Sequence, residues 1–205
     1  MAEKQEQQPV LRLASASPRR RELLELIGVP HVVTPAHIDE TPGPEEDAAT
    51  YVSRLARDKA QAVRRLHLDL PVLAADTTVH VDGSIFEKPR DETDCIRMLS
   101  LLSGRRHDVF TGLCVISDAF PSLDCVHTEV EFRKISTSEM RAYWASGEPH
   151  GKAGAYAIQG LGAVFVEKIT GSYTNVMGLP VFETARALRH HGIAIWYGAL
   201  AGETE

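Results

Sequence analysis

The residues best placed for chemistry begin at position 14, where the chain reads Ala14, Ser15, Ala16, Ser17, Pro18, Arg19, Arg20 directly after the apolar run Val10–Leu13. This pattern predicts a strand, a turn of small residues and a helix opening on proline. Ser17 suits the N-cap, and Pro18 suits the first helical position, where its missing N–H costs nothing. Leu23, Leu24 and Ile27 fall on one face, and Gly28 ends the helix. Arg19 and Arg20 in a first turn oppose the helix dipole, where Asp or Glu would be expected. An anion bound by the free N–H groups, with Ser15 and Ser17 beside it, removes that conflict and points to phosphate. The alternative is a capped surface helix with a basic first turn.

Further candidates follow along the chain. Asp76 closes the apolar run Val72–Ala75, which predicts a buried strand ending at that carboxylate. Ligands of open α/β sheets bind outside such strand ends. A carboxylate there can hold a divalent metal, take a proton from water, or cap the N–H groups of Thr77 and Thr78. Asp39 and Glu40 form an acidic pair in a Pro/Gly-bearing loop, where solvated charge is the plain alternative. Lys59 falls on the stripe Val52, Leu55, Ala56, Val63, Leu66 of a helix expected over 48–66. It either snorkels to water or directs its ammonium into a cleft. Lys88 precedes Pro89, which holds it extended. Gln159 carries both a donor and an acceptor, as reading the edge of a base requires, or it simply turns the chain before Gly160. No HExxH, GxSxG, GxxxxGK[ST] or post-strand GxGxxG occurs, so hydrolase-elbow, P-loop and dinucleotide readings lack support.

The elements that must position these groups alternate between helix and strand with hairpins interspersed. A second strand is expected at Val29–Thr34. A hairpin turns on Asp82 and Gly83, and a helix runs to about Leu102. Strands are expected at Asp108–Ser117 and Cys125–Ile135. A helix over 136–145 opens on the capping pattern Ser136 to Glu139. After a glycine-dense stretch come a strand at Ala163–Ile169, a helix over 179–190, and an apolar run Ile193–Trp196 that is either a strand or packed coil. This implies an α/β fold with a mixed, twisted sheet and flanking helices. The 205 residues suit one domain over 10–198, with tails at 1–9 and 199–205. The net charge of -6 disfavours a nucleic-acid polymer as partner, while a small phosphorylated ligand needs only a local cationic cluster. No apolar run of about 18 residues predicts a membrane span. The polar start lacks a signal core, and three cysteines without a CxxC pattern suggest buried, reduced thiols in a cytoplasm.

Taken together, seven segments resemble the Maf family of nucleotide pyrophosphatases. They are LASASPRR at 13–20, Asp39–Glu40, LARDKA at 55–60, Ala75–Thr77, Glu87–Pro89, GAYAIQG at 154–160 and GSYTNVMGLP at 171–180, in family order over nearly the whole chain. The resemblance implies an inosine-triphosphatase-like fold with two lobes around a cleft. It implies cleavage of a nucleoside triphosphate to the monophosphate and pyrophosphate with Mg²⁺ or Mn²⁺. Asp76 takes the place of the family's proton acceptor. Arg19, Thr77 and Gln159 match the subfamily that prefers dTTP and UTP, whereas a sister subfamily acting on 7-methyl-GTP has Trp, Gln and Glu there. Some members also accept modified pyrimidine nucleotides. On this basis Asp76, Lys59 and Lys88 are expected to be catalytic, and Glu40 and Asp76 to hold the metal. Ser15, Ser17, Arg19, Arg20, Thr77 and Gln159 are expected to bind substrate. The family's links to nucleotide house-cleaning and septum formation, and a homodimer, carry over by analogy alone.

Overall fold

The short strand β1 (Leu11–Leu13) lies between β2 (His31–Val33) and β3 (Val72–Val81), both parallel to it. The computed structural model describes residues 8–196. Most of the expected terminal tails, together with residues 197 and 198, therefore lie outside the described residues. The remaining strands are β4 (Ser84–Phe86), β5 (Arg106–Ile116), β6 (Ser122–Phe132) and β7 (Val166–Thr170), all antiparallel to their neighbours. The order is β2-β1-β3-β5-β6-β7, with β4 against β3, so the sheet is mixed.

Asp76 does not end its strand. β3 continues through it to Val81, paired with β5 from Val72 to His80. On its other edge β3 meets β1 only at Val72 and Leu73, and meets β4 only from Val79. Between those contacts the edge has no strand beside it among the described residues, because β1 has turned off into residues 14–17. The carboxyl-end argument therefore applies to β1, whose departure opens the sheet beside Asp76. The hairpin forms as expected, with Asp82 and Gly83 both at positive φ (50° and 75°), as a type I′ turn requires.

One face of the sheet is covered by α2 (Ala48–Leu66). Its backbone sits so close that a Cβ on Gly112 would lie 2.2 Å from the Val52 carbonyl oxygen. Gly112→Ala must push α2 off the sheet, and is expected to destabilise the fold by about 3 kcal/mol, read as a shift in urea midpoint. Leu66, expected on the buried stripe, is 80% exposed at the helix end.

The other face carries two separate apolar clusters. One joins Leu11, Leu13, Leu73 and Val115 to α1 (Pro18–Leu26) and α6 (Val181–His190). The second joins Val81, Val130 and Phe132 to α3 (Glu92–Leu102) and α4 (Thr137–Ala145). Between them runs a polar belt from the short α5 (Tyr173–Met177). Asn175, fully buried, donates to the Val109 carbonyl (3.1 Å) and the Thr128 hydroxyl (2.9 Å), while Thr111 donates to the Asn175 carbonyl (3.1 Å). The two lobes expected around a cleft are these two clusters. The Asn175 NH₂ group is satisfied in this way, while its Oδ1 is buried without a hydrogen-bond partner among the described residues.

Two local expectations change, and one open alternative is decided. The strand expected at Ala163–Ile169 is a 3-10 turn (Leu161–Phe165) followed by β7, because a carboxylate holds the N–H groups of Leu161 and Gly162. Ile193–Trp196 is coil, anchored by the Trp196 N–H on the Ile27 carbonyl (2.7 Å). Cys125 is exposed on β6, whereas Cys95 and Cys114 are buried. Burial raises the pKa of the Cys95 and Cys114 thiols to about 11 and about 12. Among the described residues no helix is long and apolar enough to cross a membrane.

Candidate active site

The cleft opens where β1 leaves the sheet and has a volume of about 710 Å³. That size suits a ligand of nucleotide dimensions. Ser15, Ser17, Arg19, Arg20, Glu40, Lys59, Asp76, Thr77, Lys88 and Gln159 all line it. Sequence positions as far apart as 15 and 159 are thus brought to one place.

The first wall is the β1–α1 turn. Ser17 occupies the N-cap with extended backbone, and Pro18 opens α1, but the Ser17 hydroxyl makes no capping bond. The Ser15 hydroxyl is engaged instead, accepting from the Ser17 N–H (3.2 Å) and from Arg20 (3.0 Å). No acidic residue stands in the first turn of α1. Arg19 reaches back to Glu22 at 2.7 Å and remains 39% exposed, free to exchange that surface partner for a stronger anion.

Arg20 behaves differently from its neighbour. It is buried, and besides Ser15 it donates to the Gly178 carbonyl (2.8 Å) and the Thr77 hydroxyl (3.1 Å). Thr77 in turn lies 2.9 Å from the Thr111 hydroxyl. Arg20 therefore joins the β1–α1 turn to the polar belt, and its guanidinium is fixed before any ligand arrives. Burial lowers its pKa, opposed by the charges of Asp76 and Glu40.

The floor is built by α2 and β3. Lys59, a residue only 7% exposed, places its ammonium 2.5 Å from Asp76 Oδ1 and 2.8 Å from Glu40 Oε1. Of the two alternatives for Lys59, the cleft holds. Asp39 goes elsewhere: exposed, it accepts from the Thr41 N–H at 2.9 Å, and that bond lowers its pKa. The loop carrying Glu40 is fastened to α2 by Arg54, which grips both oxygens of Glu46 at 2.7 Å and the Thr41 carbonyl at 3.1 Å. Hydrogen bonding from Arg54 pulls the Glu46 pKa down to about 2.

Two further residues belong to the site. The Tyr51 hydroxyl lies 2.9 Å from the Glu40 carbonyl and 3.3 Å from Glu87 Oε1. Burial pushes the Tyr51 pKa upward, with the nearby carboxylates of Asp76, Glu87 and Glu40 adding to it, so the phenol stays a neutral donor. Its signal in the sequence was the spacing Tyr51, Leu55, Lys59, four apart on one helix face. Glu87 neighbours Lys88 and lines the same cleft. Lys88 is exposed and has no ion pair among the described residues, while Pro89 behind it is buried. Gln159, half-buried on the opposite wall, has no hydrogen-bond partner among the described residues.

The donor set suits a hard divalent cation. Two carboxylates converge on one cationic atom, although no group of three metal-ligating side chains occurs among the described residues. Mg²⁺ is commonly held by one or two carboxylates plus substrate phosphates and waters, and this arrangement meets that requirement.

A family model described as Maf-like protein matches residues 10–191. A protein of Bordetella parapertussis named dTTP/UTP pyrophosphatase is 52% identical over 196 residues, covering 91% of this chain and 95% of its own length. A protein of the same name from Methylobacillus flagellatus is 51% identical over 185 residues, covering 89% of this chain and 93% of its own. One from Acinetobacter baylyi, also of that name, is 47% identical over 177 residues, covering 86% and 97%. Among solved structures, the Staphylococcus aureus Ham1 protein overlaps 60% of this chain and 71% of its own, at 14% identity and a TM-score of 0.46.

Proposed function

The chain belongs to the Maf family, and from that premise we infer that it is a nucleoside triphosphate pyrophosphatase acting on dTTP and UTP. The observation that carries the reading at the level of the site is Lys59, held between Glu40 and Asp76 on the floor of a cleft walled by a helix N-terminus and arginines. A triphosphate needs its charge met on one side and a water aligned on the other.

In the proposed reaction a water oxygen attacks the α-phosphorus. The bond from that phosphorus to the bridging oxygen breaks, pyrophosphate leaves, and the nucleoside monophosphate remains. Asp76 accepts the proton of the attacking water. Glu40 and Asp76 would hold Mg²⁺ or Mn²⁺, which when bound neutralises phosphate charge and makes water more acidic. Lys59 keeps the two carboxylates at one point and prevents their mutual repulsion from parting them. The N–H groups at the start of α1, the Ser17 hydroxyl and Arg19 grip the phosphates. Arg20, already committed to three acceptors, holds that wall in shape and adds charge from behind it. Lys88, extended before a buried proline, meets the charge that develops on the departing pyrophosphate.

Gln159 faces the base from the opposite wall, and an uncommitted amide matches the O4 and N3–H edge of uracil or thymine. Arg19 and Thr77 complete the selection, Thr77 by fixing Arg20. Arg19→Trp and Gln159→Glu are expected to lower the kcat/KM ratio of UTP over GTP by about tenfold or more, with melting temperature unchanged. An unaltered nucleotide profile in both variants would remove the selectivity roles. The reading places the enzyme in the cytoplasm, in keeping with free Cys95, Cys114 and Cys125. The direct test is a nucleotide panel with Mg²⁺, scored for pyrophosphate against orthophosphate. Pyrophosphate from dTTP and UTP is expected, and orthophosphate as the first product would overturn the reading.

A further inference from the structure

Gln159 is presented by residues that lie outside any helix or strand, so no backbone ladder fixes them. Besides the turn bond from the Gly160 N–H to the Ala157 carbonyl (3.2 Å) and the burial of Tyr156 to Ile158, two side chains hold them, Glu148 in the turn after α4 and Tyr143 within it. Glu148 Oε1 accepts from the Tyr143 hydroxyl (2.8 Å) and the Gly162 N–H (2.9 Å). Glu148 Oε2 accepts from the Leu161 N–H (2.9 Å). The oxygen of the same Tyr143 hydroxyl accepts from the Ala157 N–H at 3.1 Å. Backbone groups on both sides of Gln159 thus converge on a single tyrosine–glutamate pair.

Two glycines exist to let this pair approach. A Cβ on Gly160 would lie 2.0 Å from Glu148 Oε2, and one on Gly162 would lie 2.7 Å from the Tyr143 hydroxyl. Gly160 has φ -120°, which any residue adopts, so its requirement is the room taken by the carboxylate and not backbone freedom. Burial pushes the Glu148 pKa up, but the N–H groups of Gly162 and Leu161 and the Tyr143 hydroxyl outweigh it and leave the group below its usual range. Neither Glu148 nor Tyr143 lines the cleft.

We propose that Glu148, acting with Tyr143, is the positioning residue for base discrimination: it fixes the backbone that aims Gln159 and touches no substrate itself. This rests on the reading above in which Gln159 meets the base. The Gln159 amide has no hydrogen-bond partner among the described residues and can turn about its own bond, so what the clamp sets is how far the amide stands from the base. An amide held at the depth of a pyrimidine edge overlaps a larger purine, whereas a released backbone lets it recede and admit one.

The test uses the purified full chain and measures kcat and KM for UTP and GTP in Glu148→Gln, Tyr143→Phe, Gln159→Ala and the Glu148→Gln/Gln159→Ala double variant. Glu148→Gln keeps the volume but turns an NH₂ group against an N–H donor. It is expected to lower the UTP-over-GTP ratio of kcat/KM about tenfold, the size of one lost hydrogen bond to a charged acceptor. The change should lie in KM, with kcat for UTP held within about threefold. Tyr143→Phe, which keeps the ring packed, should move the ratio in the same direction and serves if Glu148→Gln fails to fold. In the Gln159→Ala background, Glu148→Gln should add nothing to the loss of discrimination. If Gln159→Ala shifts the ratio while Glu148→Gln and Tyr143→Phe slow both nucleotides alike, the clamp is merely structural and the proposal is overturned. If Gln159→Ala leaves the ratio unchanged, the role of Gln159 falls and the proposal falls with it.

Discussion

Asp76→Asn is expected to lower kcat by about a thousandfold or more while the protein still folds. The carboxylate carries two duties in the proposed reaction, since it takes the proton of the attacking water and shares the charge of a divalent cation. Loss of a general base alone costs about 10²–10⁴ in rate. The amide that replaces it is isosteric and cannot accept a proton at neutral pH. Stability should change little, because Lys59 keeps Glu40 at 2.8 Å and that carboxylate is 45% exposed to solvent. A fall of no more than about 2 kcal/mol is expected, the scale of one charge-assisted hydrogen bond. Steady-state turnover of dTTP beside a thermal melt checks both halves. Turnover within about tenfold of the parent would exclude Asp76 as the base.

Lys59→Met is the second large effect, and its origin differs. Methionine keeps the apolar stem packed under β3 but removes the cation to which Asp76 and Glu40 both bind. Two carboxylates then face each other without their shared counter-ion, and removing one partner from a buried ionic group costs about 3–5 kcal/mol where solvent cannot compensate. Here Tyr51 and Arg54 hold the backbone at Glu40 and Thr41, but the Glu40 side chain is 45% exposed and can turn out to solvent. The expected outcome is a fall in kcat of about a hundredfold to a thousandfold, with stability lost only in part. Lys59→Arg should restore stability more than rate, because a planar guanidinium cannot act as a point charge between two converging oxygens. Rates for Lys59→Met within about fivefold of the parent would show that the ammonium does not organise the pair.

How far the sequence carried the fold depends on what each signal measures. Apolar spacing located α2 at its observed ends, 48 and 66, because a long helix on a sheet repeats its buried face many times. Asp82 and Gly83 and the Ser136–Glu139 capping box were legible because each is a local chemical device, complete within four residues. Asp76 was misplaced as a strand end because the polar run Asp76, Thr77, Thr78 breaks the apolar pattern. The break marks an edge left open by β1, which only pairing reveals. The five-residue α5 was missed, being too short for any period. Its Asn175 is buried for hydrogen bonds made across the sheet to Val109 and Thr128. Residues 163–165 of the 3-10 turn read as the start of a strand because valine and phenylalanine favour one, while the deciding partner, Glu148, lies 13 residues upstream of Leu161.

The site was legible in its charged members and opaque in their division of labour. Arg19 and Arg20 are adjacent in sequence and the same in type, yet one is surface-exposed beside Glu22 and the other is buried on three acceptors. Asp39 and Glu40 part in the same way, one capping its own loop and the other reaching Lys59. Residue type predicts which chemistry is available, and burial decides which neighbour performs it. Tyr51 shows the converse. Its four-residue spacing from Leu55 and Lys59 was visible, but an apolar stripe gives no sign that one aromatic ring ends on a hydroxyl beside two acidic residues.

The account turns on where water is delivered. Hydrolysis of dTTP in water carrying heavy oxygen, followed by mass spectrometry of both products, reads that position directly. Attack at the α-phosphorus, with Asp76 taking the proton, places one heavy oxygen in the monophosphate and none in the pyrophosphate. Heavy oxygen in the pyrophosphate, with the monophosphate unlabelled, would contradict it.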